Sequence, residues 1–143
     1  MTARAAVAAL AGRRPDAPDA EAPRFPLANA DAVRAGLAAV LRESGARTLV
    51  ASAACGADLL GLHAAAELGM RRVVVLPFDA DRFRASSVVD RPGDWGGAYD
   101  AVIADVRARG DLEVLQNAGD DDAAYAAVTA ALVERAAALA GDP

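Results

Sequence analysis

The run Val73-Val74-Val75-Leu76 constrains the fold of this chain more than any other segment. Its apolar side chains do not alternate with polar ones, so a strand formed here would be buried on both faces. Such strands are typical of parallel sheets that helices cover on both sides. Pro77 follows at once and marks the end of the strand, because proline cannot continue a sheet ladder. We therefore expect a strand over residues 72–76 of an α/β domain.

Strand-like and helix-like patterns alternate along the rest of the chain. Further strands are predicted at residues 5–10, 48–52 and 112–115. Helices are predicted at residues 29–44, 57–68, 92–109 and 120–140, with a short turn or helix from Asp79 to Arg84 and loops at residues 12–28 and 85–93. This order predicts a three-layer Rossmann-like α/β fold with a mostly parallel sheet, built as a single domain over residues 1–143.

The composition excludes several kinds of chemistry. The chain has no Lys, one Cys and one His. A Walker-type phosphate loop and Schiff-base chemistry both need Lys. An intrachain disulfide, a Cys-cluster zinc site and a paired-His metal motif need more Cys or His than are present. Neither G-x-G-x-x-G nor G-x-S-x-G occurs. Arg, carboxylate, Ser and backbone groups are left to perform the function, and we expect neither a metal nor a cofactor.

The charge and hydropathy of the chain bear on its partners and location. A formal net charge of −5 argues against general binding of nucleic acids, which favours a basic surface. No apolar run approaches the ~20 residues that cross a bilayer. The mildly apolar start, Met1 to Leu10, lacks the strong apolar core of a signal peptide. We therefore expect a cytoplasmic protein that does not bind membranes.

The segment Ser52-Ala53-Ala54-Cys55-Gly56-Ala57-Asp58 joins the second predicted strand to the next helix. A strand, a turn of small residues and a helix N-terminus together present backbone N–H groups to an anion. Small side chains also let a ligand approach the main chain closely. We therefore predict that the N–H groups of Ala54 to Ala57 bind the phosphate of a small molecule.

Residues after the other strands complete the predicted site, because parallel sheets bind ligands at the carboxyl ends of their strands. The arginines there would supply positive charge, and Phe78 and Trp95 would supply walls. Ser86 and Ser87 lie in a loop that can fold over the ligand, and residues 116–119 follow the fourth strand. The predicted ligand-binding residues are Gly12, Arg13, Ser52, Ala53, Ala54, Cys55, Gly56, Asp58, Pro77, Phe78, Arg84, Ser87, Arg91 and Trp95, with Arg14 as a further candidate.

These motifs together resemble the SLOG superfamily, the Rossmann-like domains related to the DprA/Smf proteins and to the LOG phosphoribohydrolases. The resemblance rests on Ser52 to Asp58 after a strand, on the Ala/Leu helix that follows, and on Val74 to Phe78. Residues 83–95 are similar to a bacterial branch of the superfamily. The resemblance implies a Rossmann-like fold and a nucleotide-derived ligand. The P-G-G-x-G-T-x-x-E motif of the LOG enzymes is absent, so no catalytic residue is transferred and binding is favoured over hydrolysis.

Each candidate residue also has a purely structural interpretation. Gly56 would equally serve a close packing contact, and Asp58 would complement the dipole of the helix that it begins. Trp95 would equally belong to the core. Cys55 is better explained as a small buried side chain than as a nucleophile. Residues 120–122, three consecutive Asp, are better explained as the acidic first turn of a helix than as a metal site.

Three functions remain open at this point. The first is binding or sensing of a nucleotide or nucleoside-derived molecule, with a homo-oligomer such as a homodimer expected. The second is an N-glycosidase or phosphohydrolase, which needs a carboxylate from Asp58, Asp79, Asp90 or Asp94. The third is a non-catalytic interaction module whose Ala-rich helices pack in a homodimer or against a partner.

Overall fold

The structure is a computed structural model that describes residues 6–116 and 121–141, apart from the side chain of Asp121. Its four strands form one parallel sheet in the order of the chain. In the sheet register, Val7 pairs with Thr48, Val50 with Val73, and Val74 with Leu112. The strands are β1 (Val7–Leu10), β2 (Thr48–Ala51), β3 (Arg71–Leu76) and β4 (Leu112–Val114).

Five α-helices lie within the described ranges and connect or cover these strands. They are α1 (Ala30–Ser44), α2 (Ala57–Glu67), α3 (Ala80–Ser87), α4 (Gly96–Ala108) and α5 (Asp121–Leu139), with a turn of 3-10 helix at Leu27–Asn29. No helix in these ranges has both the length and the apolarity to span a membrane. The order of the strands and helices confirms the predicted alternation and the α/β fold class.

Both faces of the sheet are buried at β2 and at residues 73–76 of β3, as the unbroken apolar run predicts. Val50, Val73 and Val75 form one cluster with Val128 and Leu132 of α5. The alternate residues of β2 and β3 belong to a second cluster, which includes residues of α1, α2 and α4. Helix α5 contacts β1, β2 and β3, while α2 and α4 contact the sheet from the other cluster. The result is three layers, with α5 alone on its face.

Two predicted boundaries around α3 and α4 are wrong. Residues 85–87, predicted as loop, continue α3, because the helix is capped at its start and buried at its end. The Asp79 carboxylate accepts a hydrogen bond from the Arg82 N–H at 2.8 Å, and Phe83 and Ser87 are buried one turn apart. Helix α4 begins at Gly96 rather than Pro92, because the Trp95 indole N–H donates to the Pro92 carbonyl at 2.8 Å and closes a turn there.

The spacing of apolar residues predicts one buried face of α1 with Val33, Leu37, Val40 and Leu41, and one of α5 with Tyr125, Val128, Leu132 and Leu139. Leu41 is buried in the core as expected, whereas Val40, assigned to the same face of α1, is 62% exposed. Val40 and Leu41 are adjacent in the sequence and point in different directions around the axis of α1. The contact of α1 with the core is narrow, so it buries Leu41 and leaves Val40 exposed. Tyr125 of α5, predicted to face the core, is 36% exposed and lies at the edge of a cavity.

Candidate functional site

A cavity of about 290 Å³ opens at the carboxyl ends of β1 and β2. The protein's own side chains do not fill it. One side is formed by the segment after β1 and by the turn between β2 and α2, and the other by α3 and α5. Its lining residues are Ala11, Gly12, Arg14, Ser52, Ala54, Asp58, Phe83, Tyr125, Val128, Thr129 and Leu132.

Asp58 places a carboxyl group in this cavity with little access to water. It lies in the first turn of α2 and is 8% exposed. Its Oδ2 accepts a hydrogen bond from the Ala54 N–H at 3.3 Å. Burial raises the pKa of Asp58 to about 7, and the hydrogen bond from Ala54 opposes that shift without cancelling it. Near neutral pH the carboxyl group is therefore present in both protonation states.

Ser52 contributes a hydroxyl group that the protein leaves unpaired. The residue follows β2 directly, is 7% exposed and lines the cavity beside Asp58. Its Oγ is the one buried side-chain nitrogen or oxygen without a hydrogen-bond partner in the described ranges. Leaving a buried hydroxyl unpaired costs about 1–3 kcal/mol. A ligand atom that donates to this oxygen, or accepts from it, would recover that energy, and the side chain must rotate to make the contact because the oxygen itself is not exposed.

The backbone amides of the turn are largely committed inside the protein. The Ala54 N–H is held by Asp58, the Cys55 N–H donates to the Ser87 carbonyl at 3.0 Å, and the Ala57 N–H donates to the Arg13 carbonyl at 2.9 Å. Three of the four N–H groups predicted to bind phosphate thus already have acceptors. A phosphate at the predicted turn would have to displace or share these three internal acceptors.

The two glycines of the predicted site allow the segment after β1 to approach α2. Gly56 has a φ of 95°, and a Cβ there would lie 2.5 Å from the Arg13 carbonyl oxygen. A Cβ on Gly12 would lie 2.5 Å from the Cβ of Ala57. Gly12 lines the cavity, whereas Gly56 faces the chain at residues 13–15.

Two arginines fix the loops around the cavity. Arg14 Nη1 donates to both carboxylate oxygens of Asp90, at 2.7 and 2.8 Å. Arg91 Nη1 donates to the Pro15 carbonyl at 2.9 Å. The loop after β1 is therefore attached twice to the segment after α3. Of the two arginines, Arg14 also lines the cavity.

Several predicted residues lie away from the cavity. Arg84 pairs with Asp100 of α4, with Nε 2.9 Å from Oδ1. Trp95 is buried in the core, and the Phe78 ring lies behind the cavity wall, 6.1 Å from the Tyr125 ring. Burial raises the pKa of the Cys55 thiol, although Arg14 opposes that shift.

Four residues of the predicted set line the cavity and ten do not. Those that line it are Gly12, Ser52, Ala54 and Asp58, and those that do not are Arg13, Ala53, Cys55, Gly56, Pro77, Phe78, Arg84, Ser87, Arg91 and Trp95.

The wall formed by α5 is the part of the site that the sequence prediction missed. Tyr125 and Thr129 lie one helical turn apart, next to the apolar Val128 and Leu132 that cover the sheet. The Tyr125 and Ser87 hydroxyls share a hydrogen bond of 2.7 Å, which joins α5 to α3 beside the cavity. The sequence does show polar residues spaced beside the apolar stripe of α5. They can be assigned to the cavity only when the position of α5 on the sheet is known.

A larger groove of about 860 Å³ lies at the opposite edge of the sheet. Arg71, Arg72 and Arg109 line it, and their guanidinium groups are paired with Asp111 or Asp105 at 2.7–2.9 Å. These arginines are paired with carboxylates as Arg14 is with Asp90, so the arginines do not distinguish the groove from the smaller cavity. The smaller cavity, with its unpaired hydroxyl, is the better candidate for a ligand.

No group of three or more His, Cys, Asp or Glu side chains in the described ranges is placed to hold a metal ion. The predicted candidates at residues 117–120 lie outside those ranges, as does the side chain of Asp121.

Fold and site together define a parallel α/β domain with a small, partly polar cavity at the carboxyl edge of its sheet. Comparison with protein-family models, curated proteins and solved structures gives no match to this chain.

Proposed function

We propose that this domain binds a nucleotide or nucleoside-derived small molecule in the cavity beside Ser52 and Asp58. The observation that carries the proposal is the buried Ser52 hydroxyl, which has no partner and lines a cavity shared with a buried carboxyl group. Ligand hydroxyl or amino groups would satisfy both side chains. Family membership in the SLOG superfamily remains a proposal, and it favours the same class of ligand.

The size and lining of the cavity favour one nucleoside unit. Small-molecule sites usually enclose about 300–1,000 Å³, so a cavity of about 290 Å³ is at the lower end of that range. Phe83, Val128 and Leu132 offer an apolar wall to a nucleobase, and Arg14 offers a positive charge to a phosphate. A sensing role would need no catalytic residue.

Calorimetric titration with adenosine, AMP, cyclic AMP and ADP-ribose, repeated with the other bases, tests this function. We expect binding of at least one of these compounds to the wild-type protein. Thr129→Trp should abolish it, because Thr129 is exposed on α5 and lines the cavity, so a large ring there would occupy the space. Ala130→Trp is the matched control, since Ala130 is exposed on the same helix and does not line the cavity. Failure of every compound to bind, or unchanged binding by Thr129→Trp, would refute the proposal.

A second candidate function is hydrolysis of the N-glycosidic bond of a nucleotide. It is favoured by the pKa of Asp58, which at about 7 suits a general acid or base at neutral pH. Chromatographic detection of free base from a nucleoside monophosphate tests it. If the wild-type protein releases free base and Asp58→Asn does not, the hydrolase is supported. If the wild-type protein releases no base, binding without hydrolysis remains the proposed function. Self-association through the Ala-rich helices remains a prediction from the sequence.

A further inference from the structure

We infer that the cavity recognises the vicinal diol of a ribose, with its hydroxyls on Asp58 and Ser52, and that any phosphate on the ligand lies at Arg14 instead of on the turn after β2. This inference rests on the proposed function and specifies how the ligand is oriented. It reverses the orientation that the strand, turn and helix pattern predicts.

The turn after β2 is a poor site for a phosphate for two reasons. The amides of Ala54, Cys55 and Ala57 already donate to acceptors within the protein. The Asp58 carboxyl group also lies beside them, and its ionised form repels an anion at short range. A phosphate placed here would have to break internal hydrogen bonds and would keep Asp58 protonated.

A diol matches the two polar side chains that line this part of the cavity. An ionised carboxylate only accepts hydrogen bonds, whereas a serine hydroxyl both donates and accepts. Each hydroxyl of a ribose can do both, so adjacent hydroxyls can donate to Asp58 and pair with Ser52. Such bonds would satisfy the unpartnered Ser52 Oγ and stabilise the buried charge of Asp58.

The distribution of apolar residues places the base on the opposite side from these polar groups. Next to Ser52 and Asp58 the lining consists of small residues, including Gly12 and Ala54, which offer little area for stacking. The aromatic and branched side chains lie on α3 and α5, where Phe83 and Tyr125 line the cavity. A sugar therefore suits the first side and a base suits the second.

Arg14 is the cation in position to meet a phosphate. It lines the cavity, and its side chain is 27% exposed, so an anion can reach it from solvent. Both hydrogen bonds to Asp90 come from Nη1. The Cys55 thiol also lies within hydrogen-bond range of the guanidinium group. A guanidinium group has five N–H donors, so Arg14 still has donors for an anion after these contacts.

The test is a set of titrations with ligands that differ by one group. Wild-type protein, Asp58→Asn, Ser52→Ala and Arg14→Gln would each be titrated with adenosine, 2′-deoxyadenosine, 3′-deoxyadenosine, AMP and ribose 5-phosphate, and the series repeated with guanosine, cytidine and uridine. Removing either sugar hydroxyl should weaken binding to the wild-type protein about tenfold or more. Asp58→Asn, which keeps the shape of the side chain but loses an acceptor, should reduce the effect of removing one of the two hydroxyls, and Ser52→Ala should reduce the effect of removing the other. Arg14→Gln should lose the gain in affinity that AMP has over adenosine.

The outcomes separate this inference from the proposed function. If the deoxy ligands bind the wild-type protein as tightly as the ribonucleosides do, the function stands and the diol inference is wrong. If Asp58→Asn changes the preference among bases rather than among sugars, a base edge is in contact with Asp58 and the inference is again wrong. If no ligand binds, both fail. Ribose 5-phosphate binding as tightly as AMP would assign the diol to a sugar phosphate. Circular dichroism and thermal unfolding would establish that each variant is folded.

Discussion

The main-chain N–H of Ala54 donates to the side-chain Oδ2 of Asp58 over 3.3 Å, so the carboxyl group of α2 closes the turn that precedes its own helix. This contact uses an amide that the sequence pattern assigns to a phosphate. It also holds a nearly buried acid against the cavity, where the pKa of Asp58 rises to about 7. The chemistry of the site depends on this acid more than on the helix N-terminus.

The first prediction concerns stability and pH at Asp58. The pKa of this carboxyl group is about 7 in the folded state and 3.8 in its ordinary state, so the folded protein binds the proton more tightly. The contribution of Asp58 to the free energy of unfolding should therefore fall as the pH rises from about 4 to about 7 and then level off. Asp58→Asn removes the buried charge, and above pH 7 it should be more stable than the wild-type protein, by at most about 4 kcal/mol. Urea unfolding at pH 5 and pH 8 measures the difference.

Asp19→Asn is the control for that experiment, because Asp19 is exposed in the loop after β1. Its stability should stay within about 0.5 kcal/mol of that of the wild-type protein in both measurements, because substitutions of exposed residues have small effects. If Asp58→Asn has the same stability difference at pH 5 and pH 8, then Asp58 does not titrate with a raised pKa.

The second prediction concerns Gly56. A side chain there would require an unfavourable positive φ of 95° and would place Cβ 2.5 Å from a backbone oxygen of residue 13. We expect Gly56→Ala to destabilise the protein by about 3 kcal/mol or more, measured by urea unfolding. Gly36→Ala is the matched control, because Gly36 lies inside α1 with no atom within 4 Å of a Cβ. It should stabilise the protein by up to about 1 kcal/mol, and equal effects of the two changes would contradict the close contact at Gly56.

The third prediction concerns the hydrogen bond between Tyr125 and Ser87. Tyr125→Phe removes the 2.7 Å bond that joins α5 to α3, which should cost about 1 kcal/mol and increase amide hydrogen exchange in α5. Tyr99→Phe is the control, because it removes a bond of equal length to the Ala80 carbonyl outside the cavity. Only the change at Tyr125 should speed ligand dissociation. Equal dissociation rates in the two variants would mean that the Tyr125 contact does not affect ligand release.

The fourth prediction concerns the pH dependence of adenosine binding. The diol donates to the ionised form of Asp58, so affinity should rise as the pH increases from 6 to 8. Arg14 and Tyr125 also face the cavity, and Asp90 is bonded to Arg14. A flat profile in Asp58→Asn would assign the slope to Asp58. Affinity that falls with pH in the wild-type protein would show that the ligand needs the protonated acid.

Much of the fold could be predicted from short patterns in the sequence. The apolar run at β3, the caps at Asp79 and Gly45, and the spacing of apolar residues in α1 are local signals, and the structure confirms the elements that they predict. The start of α4 was missed because a side-chain bond between Trp95 and Pro92 decides it. Such a bond forms only once the surrounding loop is in place.

The site was harder to predict because its parts meet through tertiary structure. The segment from Ser52 to Asp58 was found from its small residues and its position after a strand. The sequence pattern assigns the amides of this segment to a phosphate. It does not show that two of them donate instead to the carbonyl groups of Arg13 and Ser87. Helix α5 forms one wall only because it crosses the sheet face at Val50 and Val73, which no local pattern specifies.

Amide chemical-shift mapping by NMR tests the location of the site most directly. A ¹⁵N-labelled sample would be titrated with adenosine, or with whichever nucleoside binds best. We expect the largest changes at Gly12, Ser52, Asp58 and Thr129, and little change at Arg71 and Arg109 in the opposite groove. Changes confined to that groove, or none at saturating ligand, would contradict a nucleoside site beside Ser52 and Asp58.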